Sequence, residues 1–330
     1  MGADSIFVMT IDTEADDAWR KPDQVGLQNM VAIPRFQSLC DQYGIVPTYL
    51  LAYECASREE AISVLKPIND DGRCELGHHL HSWTSAPFQD EKNGIDMPWM
   101  HAYQFELSDT LFNEKALCLK ETIEANYGVT PTSHRAGRWG IDQRTIDWLI
   151  SNNFIADSSV IPRFNMKYAI GKNAVGPNFY TLPRSPYSWA SSVGSKTLIE
   201  IPMTTSLPNN PVSFLADRYL KAGLPIGGRL ERLYQNRLAG KMLRPNPRFS
   251  DKLLLESISQ SVKNGPNIIN MMIHSSELFP DCSPYTRTKE DHDKVWHKIE
   301  LIFSHIQQQK IPCMSLTDAA RTYSTKQAVV

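Results

Sequence analysis

Apolar segments of strand length alternate along the chain with segments in which apolar residues recur at helical spacing. The first predicted elements are a strand at Ile6–Ile11, a helix around Val31–Tyr43, a strand at Pro47–Ala52, a helix around Arg58–Asn69 and a strand at Glu75–Leu80. Strands that alternate with helices in this way are typical of parallel sheets. The pattern therefore predicts an α/β protein.

The alternation continues through the rest of the chain. A long amphipathic helix carries Phe112 and Tyr127 on one side, and a shorter helix is predicted over Asp142–Asn152. Further strands are predicted at Ser133–Arg135, Phe154–Asp157, Leu198–Ile201, Ile268–His274 and Pro312–Leu316, with a helix over Glu290–Gln309 between the last two. This number of elements favours an irregular barrel of seven or eight parallel strands surrounded by helices.

A length of 330 residues suits one large barrel or two smaller domains, and we expect one domain over residues 1–330. Two stretches interrupt the alternation, a loop at 82–106 and an excursion at 206–251, and both are expected to lie outside the barrel core. Between Arg218 and Arg248 there are eight Lys or Arg residues and a single acid, Glu231. The segment 218–248 is either a solvated helical face or a contact surface for an anionic sugar phosphate or a membrane leaflet.

Composition narrows the class of protein further. The hydrophobic fraction of 42% and the charged fraction of 21% lie in the range of soluble globular proteins, and the net charge of −2 gives no reason to expect a nucleic-acid partner. The sequence has no apparent signal peptide and no apolar run of membrane-spanning length, so we expect a cytoplasmic protein. Its six cysteines lack CxxC spacing and are interpreted as buried thiols.

Polar residues recur where the predicted strands end, and in a parallel barrel these ends form the active site. They are Asp12, Glu14, Asp16 and Asp17 after the first strand, the run His78-His79-Leu80-His81, the pair His134-Arg135, Asp157, and the run His274-Ser275-Ser276-Glu277. His79 and His81 are two residues apart, so on a strand both side chains point to the same side, as two ligands of one metal require. His78 points the other way, which favours packing in the core or support of the site.

Either Asp12 or Glu14 could complete the metal site while the other serves as a base. Two histidines and a carboxylate leave coordination positions open for water, which a bound ion would acidify. Zinc suits these ligands best, although cobalt, nickel, iron and manganese accept the same set.

These motifs resemble those of the polysaccharide deacetylase family, also called carbohydrate esterase family four, which has the NodB-homology fold. The residues that carry the resemblance are Thr10–Glu14, Glu75–Trp83, Arg135–Gly140, Asp157 and Met272–His274. The resemblance implies removal of an N-acetyl group from an amino sugar in a saccharide or glycan precursor. It further implies Asp12 as general base, Glu14 as metal ligand, Arg135 as the partner of the base, His274 as general acid and Asp157 as the residue that orients His274.

The chain departs from the family pattern at two positions. The usual second metal histidine would stand at Trp83, so the ligand role is carried to His81. The second acid, Glu14, stands one residue later than in the commoner pair, which leaves the assignment of base and ligand between Asp12 and Glu14 open. Trp83, Arg138 and Trp139 are candidates for a sugar groove, with rim packing as the alternative.

Two other functions fit the same residues. An allantoinase-like relative would use the barrel and the metal to open a cyclic amide or ureide, and fold alone cannot separate this from deacetylation. A catalytically silent barrel that binds carbohydrate would result if Trp83 replaces a needed ligand.

Overall fold

The computed structural model describes residues 5–18, 25–88, 102–166, 175–206, 211, 215, 217–218, 241–264 and 268–328. Of the loop at 82–106, only residues 82–88 and 102–106 are described. Most of the excursion at 206–251, and with it most of the basic segment 218–248, lies outside the described residues. The anionic contact surface and the single domain over 1–330 therefore remain predictions.

Eight strands of the described chain form one sheet, and two more form a short separate pair. They are β1 (Ile6–Thr13), β2 (Thr48–Leu51), β3 (Glu75–Leu80), β4 (Ser133–Ala136), β5 (Ala156–Asp157), β6 (Tyr187–Ala190), β7 (Thr197–Glu200), β8 (Thr205–Ser206), β9 (Lys241–Met242) and β10 (Ile268–His274). The order in the large sheet is β10-β1-β2-β3-β4-β5-β7-β6. Its neighbours are parallel except for the edge pair β6–β7, and β8 pairs with β9.

Helices connect the strands and cover the outside of the sheet. They are α1 (Ile33–Gln42), α2 (Tyr53–Ser57), α3 (Glu59–Asp70), α4 (Asp109–Tyr127), α5 (Gln143–Ser151), α6 (Asp251–Asn264), α7 (Lys289–Gln308) and α8 (Leu316–Ala328). Local sequence fixes the ends of α4: the Ser108 hydroxyl accepts the N–H of Leu111, and Gly128 ends the helix with a left-handed φ of 73°. None of the described helices has the length and apolar character that a membrane span requires.

Residues 201–204 close the curled sheet. The N–H of Ile201 donates to the Asp157 carbonyl (2.8 Å), and the N–H of Met203 donates to the Val160 carbonyl (2.9 Å). On the other side, the N–H of Thr204 donates to the carbonyl of Asn270 in β10 (3.1 Å). The predicted irregular barrel of parallel strands is confirmed, with an antiparallel edge strand in addition.

The alternation of side chains in β1 separates the two faces of the sheet. Phe7, Met9 and Ile11 pack in the outer core, which also includes residues of α1, α3, α4 and α7. Ile6 and Val8 lie in another cluster together with Leu316, Ala319 and Ala320 of α8. The first residue of α8, Leu316, donates its N–H to the hydroxyl of Thr48 at the start of β2. Helix α8 therefore covers the amino-terminal end of the barrel, and the carboxyl ends of the strands are left for the site.

The prediction of a strand at Pro312–Leu316 is wrong. Only Cys313 pairs with β1, as an isolated bridge to Phe7, and α8 begins at Leu316. The Ser315 hydroxyl donates to the Asp318 carboxylate (3.0 Å), and the Asp318 N–H donates back to that hydroxyl (3.3 Å). This local capping starts a helix where the apolar pattern predicts an extended chain. The cysteines are all free, four of them buried as predicted, while Cys118 and Cys313 are half-buried.

Candidate active site

Three of the predicted metal ligands come together at the carboxyl ends of β1 and β3. Glu14, His79 and His81 each offer one ligand atom, and these atoms lie within 4.8 Å of one another. All three side chains are buried. The Nε2 atom of His81 is 3.4 Å from Oε2 of Glu14. Glu14 and the two histidines, which are more than sixty positions apart in the sequence, therefore form one compact set of nitrogen and oxygen donors.

The hydrogen bond made by His79 selects its tautomer. Its Nδ1 lies 2.9 Å from the carbonyl oxygen of Arg135, the residue beside it on β4. Since a carbonyl only accepts, Nδ1 carries the proton, and Nε2 is left with a lone pair. This is the arrangement that orients a histidine as a metal ligand in many proteins.

The backbone N–H and carbonyl of Glu14 are both hydrogen-bonded, in contrast to one oxygen of its carboxylate. Its N–H donates to the hydroxyl of Ser275 (3.1 Å), and its carbonyl accepts from the side chain of Asn29 (3.1 Å). Oε1 is buried and has no hydrogen-bond partner among the described residues. Burial, followed by the negative charges of Asp12 and Glu54, raises the pKa of Glu14 well above its usual range.

This donor set fits a divalent cation. Two imidazole nitrogens and one carboxylate oxygen are ligands that zinc and similar ions accept. The buried, unpartnered oxygen of Glu14 and the acids around it concentrate negative charge, which a cation would neutralise and which would keep Glu14 ionised. The residues Glu14, His79 and His81 would hold the ion.

Asp12 and Arg135 form a buried ion pair next to the three candidate ligands. Nη1 of Arg135 donates to Oδ1 of Asp12 (2.5 Å), its Nε donates to the carbonyl of Ser158 (2.8 Å), and its Nη2 donates to the hydroxyl of Thr10 (2.8 Å). Burial acts to raise the pKa of Asp12, but the charge of Arg135 and its hydrogen bond hold it at about 2. Asp12 is therefore a carboxylate, oriented by an arginine that is itself fixed on several sides.

His274 faces Asp12 from the neighbouring strand. The two residues are register partners on β10 and β1, and Nε2 of His274 is 3.8 Å from Oδ2 of Asp12. On the other side of the ring, Nδ1 donates to Oε1 of Glu277 (2.8 Å), which also accepts the backbone N–H of His274 (3.0 Å). Glu277 in turn forms an ion pair with Arg244. Despite burial, the charges of Arg244 and His274 hold the pKa of Glu277 at about 2.

The predicted partnership of Asp157 with His274 is wrong. The carboxylate of Asp157 accepts the N–H (2.9 Å) and the hydroxyl (2.8 Å) of Ser159 and is hydrogen-bonded to Glu200. Its register partners are His134 and Glu200, whose side chains point away from the barrel interior. The next residue, Ser158, points inward and contacts Arg135. Because successive side chains of a strand point to opposite faces, the inward position of Ser158 places Asp157 on the outer face, away from the site.

His78 lies in the core, as predicted. Its Nε2 donates to the carbonyl of Ala116 in α4 (3.1 Å), and its Nδ1 lies 2.9 Å from Nδ1 of His134. The ring also lies beside Trp148 and Phe154. Burial lowers the pKa of His78 to about 3, so this histidine is a neutral core residue.

The three candidates for a sugar groove divide into two kinds. Arg138 and Trp139 are half-buried at the rim, in a turn where both have left-handed φ values, 51° and 63°. The guanidinium of Arg138 lies 4.7 Å from the ring centre of Tyr103, and that of Arg135 lies 5.0 Å from the ring centre of Trp139. Trp83, in contrast, is buried and stacks on His81. It packs against a candidate ligand instead of presenting an open face to a sugar.

Sequence reasoning assigned no role in the site to Glu277 or to Arg244. Glu277 stands three residues after His274, a spacing that allows a side chain to reach back to the start of a helical turn. That spacing was a usable signal. Arg244 belongs to the basic segment, and nothing in its neighbouring residues distinguishes it from the seven other Lys and Arg residues there.

Comparison with protein-family models and with curated protein sequences finds no match. Among solved structures, a proposed polysaccharide deacetylase from Mycobacterium smegmatis is similar over 98% of this chain and 92% of its own, with a TM-score of 0.56 and 14% identity. The 4-alpha-glucanotransferase from Thermococcus litoralis is similar over 95% of this chain and 40% of its own, with a TM-score of 0.53 and 10% identity. Likeness at this level of identity establishes the fold and leaves the chemistry to the residues of the site. The chain therefore has the fold of the polysaccharide deacetylases, the NodB-homology barrel that its motifs predict.

Proposed function

We propose that this protein is a metal-dependent hydrolase that removes the acetyl group from the nitrogen of an amino sugar in a saccharide or glycan precursor. One observation carries the proposal: a buried set of metal donors, Glu14, His79 and His81, lies next to an oriented carboxylate and an oriented imidazole. These three functions together suit the hydrolysis of an amide, because the amide carbonyl is unreactive and its nitrogen is a poor leaving group.

Each residue has a task that follows from its contacts. A divalent ion bound by Glu14, His79 and His81 would polarise the acetyl carbonyl and lower the pKa of a water molecule. Asp12, kept ionised by Arg135, accepts the proton from the attacking water. Two contacts support Asp12 as the base and Glu14 as the ligand: Oδ1 of Asp12 is engaged by Arg135, and Glu14 lies with the histidines.

His274 supplies the proton that the departing amine needs. Its Nδ1 is bound to Glu277, so Nε2 is the nitrogen that faces Asp12 and the space between them. The negative charge of Glu277 stabilises the protonated ring before the proton is transferred. Acid catalysis of this kind contributes about 10²–10⁴-fold to a rate.

The direct test is acetate release from N-acetylglucosamine oligomers by the protein loaded with zinc, compared with the chelated protein. We expect acetate release only from the metal-loaded form, together with new primary amines on the sugar. Opening of small cyclic ureides without acetate release would overturn the deacetylase proposal in favour of the amidohydrolase alternative. Binding of the oligomers without any reaction would favour the silent barrel.

A further inference from the structure

The two histidine ligands of the candidate metal site are held in different ways. His79 donates from Nδ1 to a backbone carbonyl, which fixes both its tautomer and the rotation of its ring. The corresponding Nδ1 of His81 is buried and has no hydrogen-bond partner in the described part of the chain. Metal-binding histidines are ordinarily oriented by a hydrogen bond from the second ring nitrogen. Something other than a hydrogen bond must therefore set the ring of His81.

Trp83 lies flat against that ring. The centres of the His81 and Trp83 rings are 4.5 Å apart, and the two planes differ by only 13°. Both side chains are almost completely buried, with 4% and 6% exposure. Rotation of the imidazole about its own χ2 torsion would break this parallel contact and drive a ring edge into the indole.

Gly137 borders the same imidazole on its edge. A Cβ atom at this position would overlap Cδ2 of His81 and the carbonyl oxygen of Leu80. The absence of a side chain is thus what allows the ring to occupy its place. The imidazole of His81 is therefore packed against Trp83 on its face and against Gly137 at its edge.

The loop that carries Trp83 is itself anchored. The N–H of Ser85 donates to the carbonyl of His81 (3.1 Å), which forms a turn around Trp83. Lys115, which is fully buried in α4, donates to the carbonyls of Ser85 (2.5 Å) and Pro87 (2.8 Å). The indole is consequently presented by a fixed backbone and not by a free loop.

We infer that Trp83 is a positioning residue that, with Gly137, orients His81 for metal binding by packing, in place of the missing hydrogen bond. The inference rests on the proposed function, because it assumes that His81 is a metal ligand. It also gives Trp83 a role in the site that differs from lining a sugar groove. His81 can serve as the second histidine ligand because the stacked ring of Trp83 holds its imidazole in place.

The test measures metal binding separately from activity. The zinc dissociation constant is determined by competition with a chromophoric chelator for wild type, Trp83→Leu, Trp83→Phe and Trp189→Leu, and the absorption spectrum of each Co²⁺-loaded protein reports ligand geometry. Trp83→Leu keeps apolar volume but removes the ring, and Trp83→Phe restores a ring. Trp189, on edge strand β6, serves as the matched control because its indole contacts Glu200 and Tyr187 and no candidate ligand.

We expect Trp83→Leu to weaken zinc binding about tenfold to a hundredfold, with an altered cobalt spectrum, and Trp83→Phe to restore most of the affinity. Trp189→Leu should bind zinc as wild type does. Gly137→Ala is the second variant, and it should weaken binding for the steric reason given above even if Trp83→Leu fails to fold. Wild-type affinity in both Trp83→Leu and Gly137→Ala would overturn the inference while leaving the metal site intact. Failure of wild type to bind zinc or cobalt would instead overturn the proposed function.

Discussion

The two faces of strands β3, β4 and β5 carry nearly the same kinds of residues and do different things. On the inner face, His79 and Arg135 lie beside Glu14 and Asp12 at the mouth of the barrel. On the outer face, His78 and His134 bond to each other, and Asp157 bonds to Glu200 under the covering helices. Histidines and acids at strand ends are therefore not sufficient to identify a site.

The difference lies in what each group has as a partner. The two outer histidines share a hydrogen bond, and Nε2 of His78 reaches a backbone carbonyl, while Nε2 of His134 has no partner among the described residues. Burial lowers the pKa of both histidines, so they are neutral. The inner groups leave a lone pair on His79 and an unpartnered oxygen on Glu14, in a set of three donor residues whose ligand atoms lie within 4.8 Å of one another. Buried polar groups that hydrogen-bond to one another stabilise a fold. Neighbouring buried groups whose donor atoms lack protein partners can instead bind a ligand.

The largest effect should separate the two aspartates of these faces. We expect Asp12→Asn to lower the rate of acetate release about 10²–10⁴-fold, because the amide cannot accept the proton of water. Asp157→Asn should stay within about threefold of wild type, since that side chain lies on the outer face. Steady-state kinetics on zinc-loaded samples measures both. Equal losses in the two variants would contradict the assignment of faces.

A smaller effect is expected at Glu277, which lies behind the general acid. Glu277→Gln keeps an acceptor for Nδ1 of His274 but removes the charge that stabilises the protonated ring. We expect kcat to fall about tenfold to a hundredfold with little change in KM or zinc content. A loss confined to kcat would place the effect on proton transfer by His274, because the metal ligands and their contacts are unchanged.

The control for that variant is Glu54→Gln, another buried acid near the site, which bonds to the N–H of Ala15 and does not touch His274. Its kcat should fall by less than that of Glu277→Gln. A wild-type kcat in Glu277→Gln would show that Glu277 does not act through His274.

The smallest effect concerns the acid pair on the outer face. Burial raises the pKa of Asp157, and burial together with the charge of Asp157 raises that of Glu200 well above its usual range. A carboxyl group with a raised pKa in the folded state binds its proton more tightly there than in the unfolded chain. Stability should therefore fall as the pH rises from the ordinary values, 3.8 and 4.5, through the raised values.

Asp157→Asn should make this decline shallower, because Glu200 would then face a neutral amide that can donate to its carboxylate. Urea unfolding at several pH values between about 5 and 8 measures the free energy of unfolding for both proteins. The same decline with pH in wild type and variant would contradict a proton shared between Asp157 and Glu200.

Much of the fold and of the site could be predicted because strand alternation and strand-end motifs are local signals. The pair His79 and His81 and the opposite orientation of His78 follow from such signals, and the pairing of Asp12 with Arg135 follows from the family resemblance. Asp157 shows the limit of this reasoning. One residue of register exchanges the inner and outer faces of a strand, and the short apolar segment that carries Asp157 does not determine which residue points inward.

Contacts between residues that are far apart in the sequence could not be predicted either. Arg244 reaches Glu277 from a segment with few local signals, and Ser315 starts a helix that no apolar periodicity indicates. Trp83 could be recognised as a departure from the family pattern, but its contact with His81 depends on the turn that Lys115 anchors from α4. Such contacts depend on how the chain packs and not on neighbours in the sequence.

The most direct test of the central claim is the zinc content of wild type, His79→Ala and His78→Ala, determined by elemental analysis after loading and desalting. These two histidines are adjacent, equally buried and on opposite faces of β3, so each variant controls for the loss of a buried ring in the other. We predict about one zinc per chain in wild type and in His78→Ala, with lower stability in the latter, and loss of zinc in a folded His79→Ala. Zinc retained by folded His79→Ala, or lost equally from both folded variants, would contradict a metal centre on the inner face.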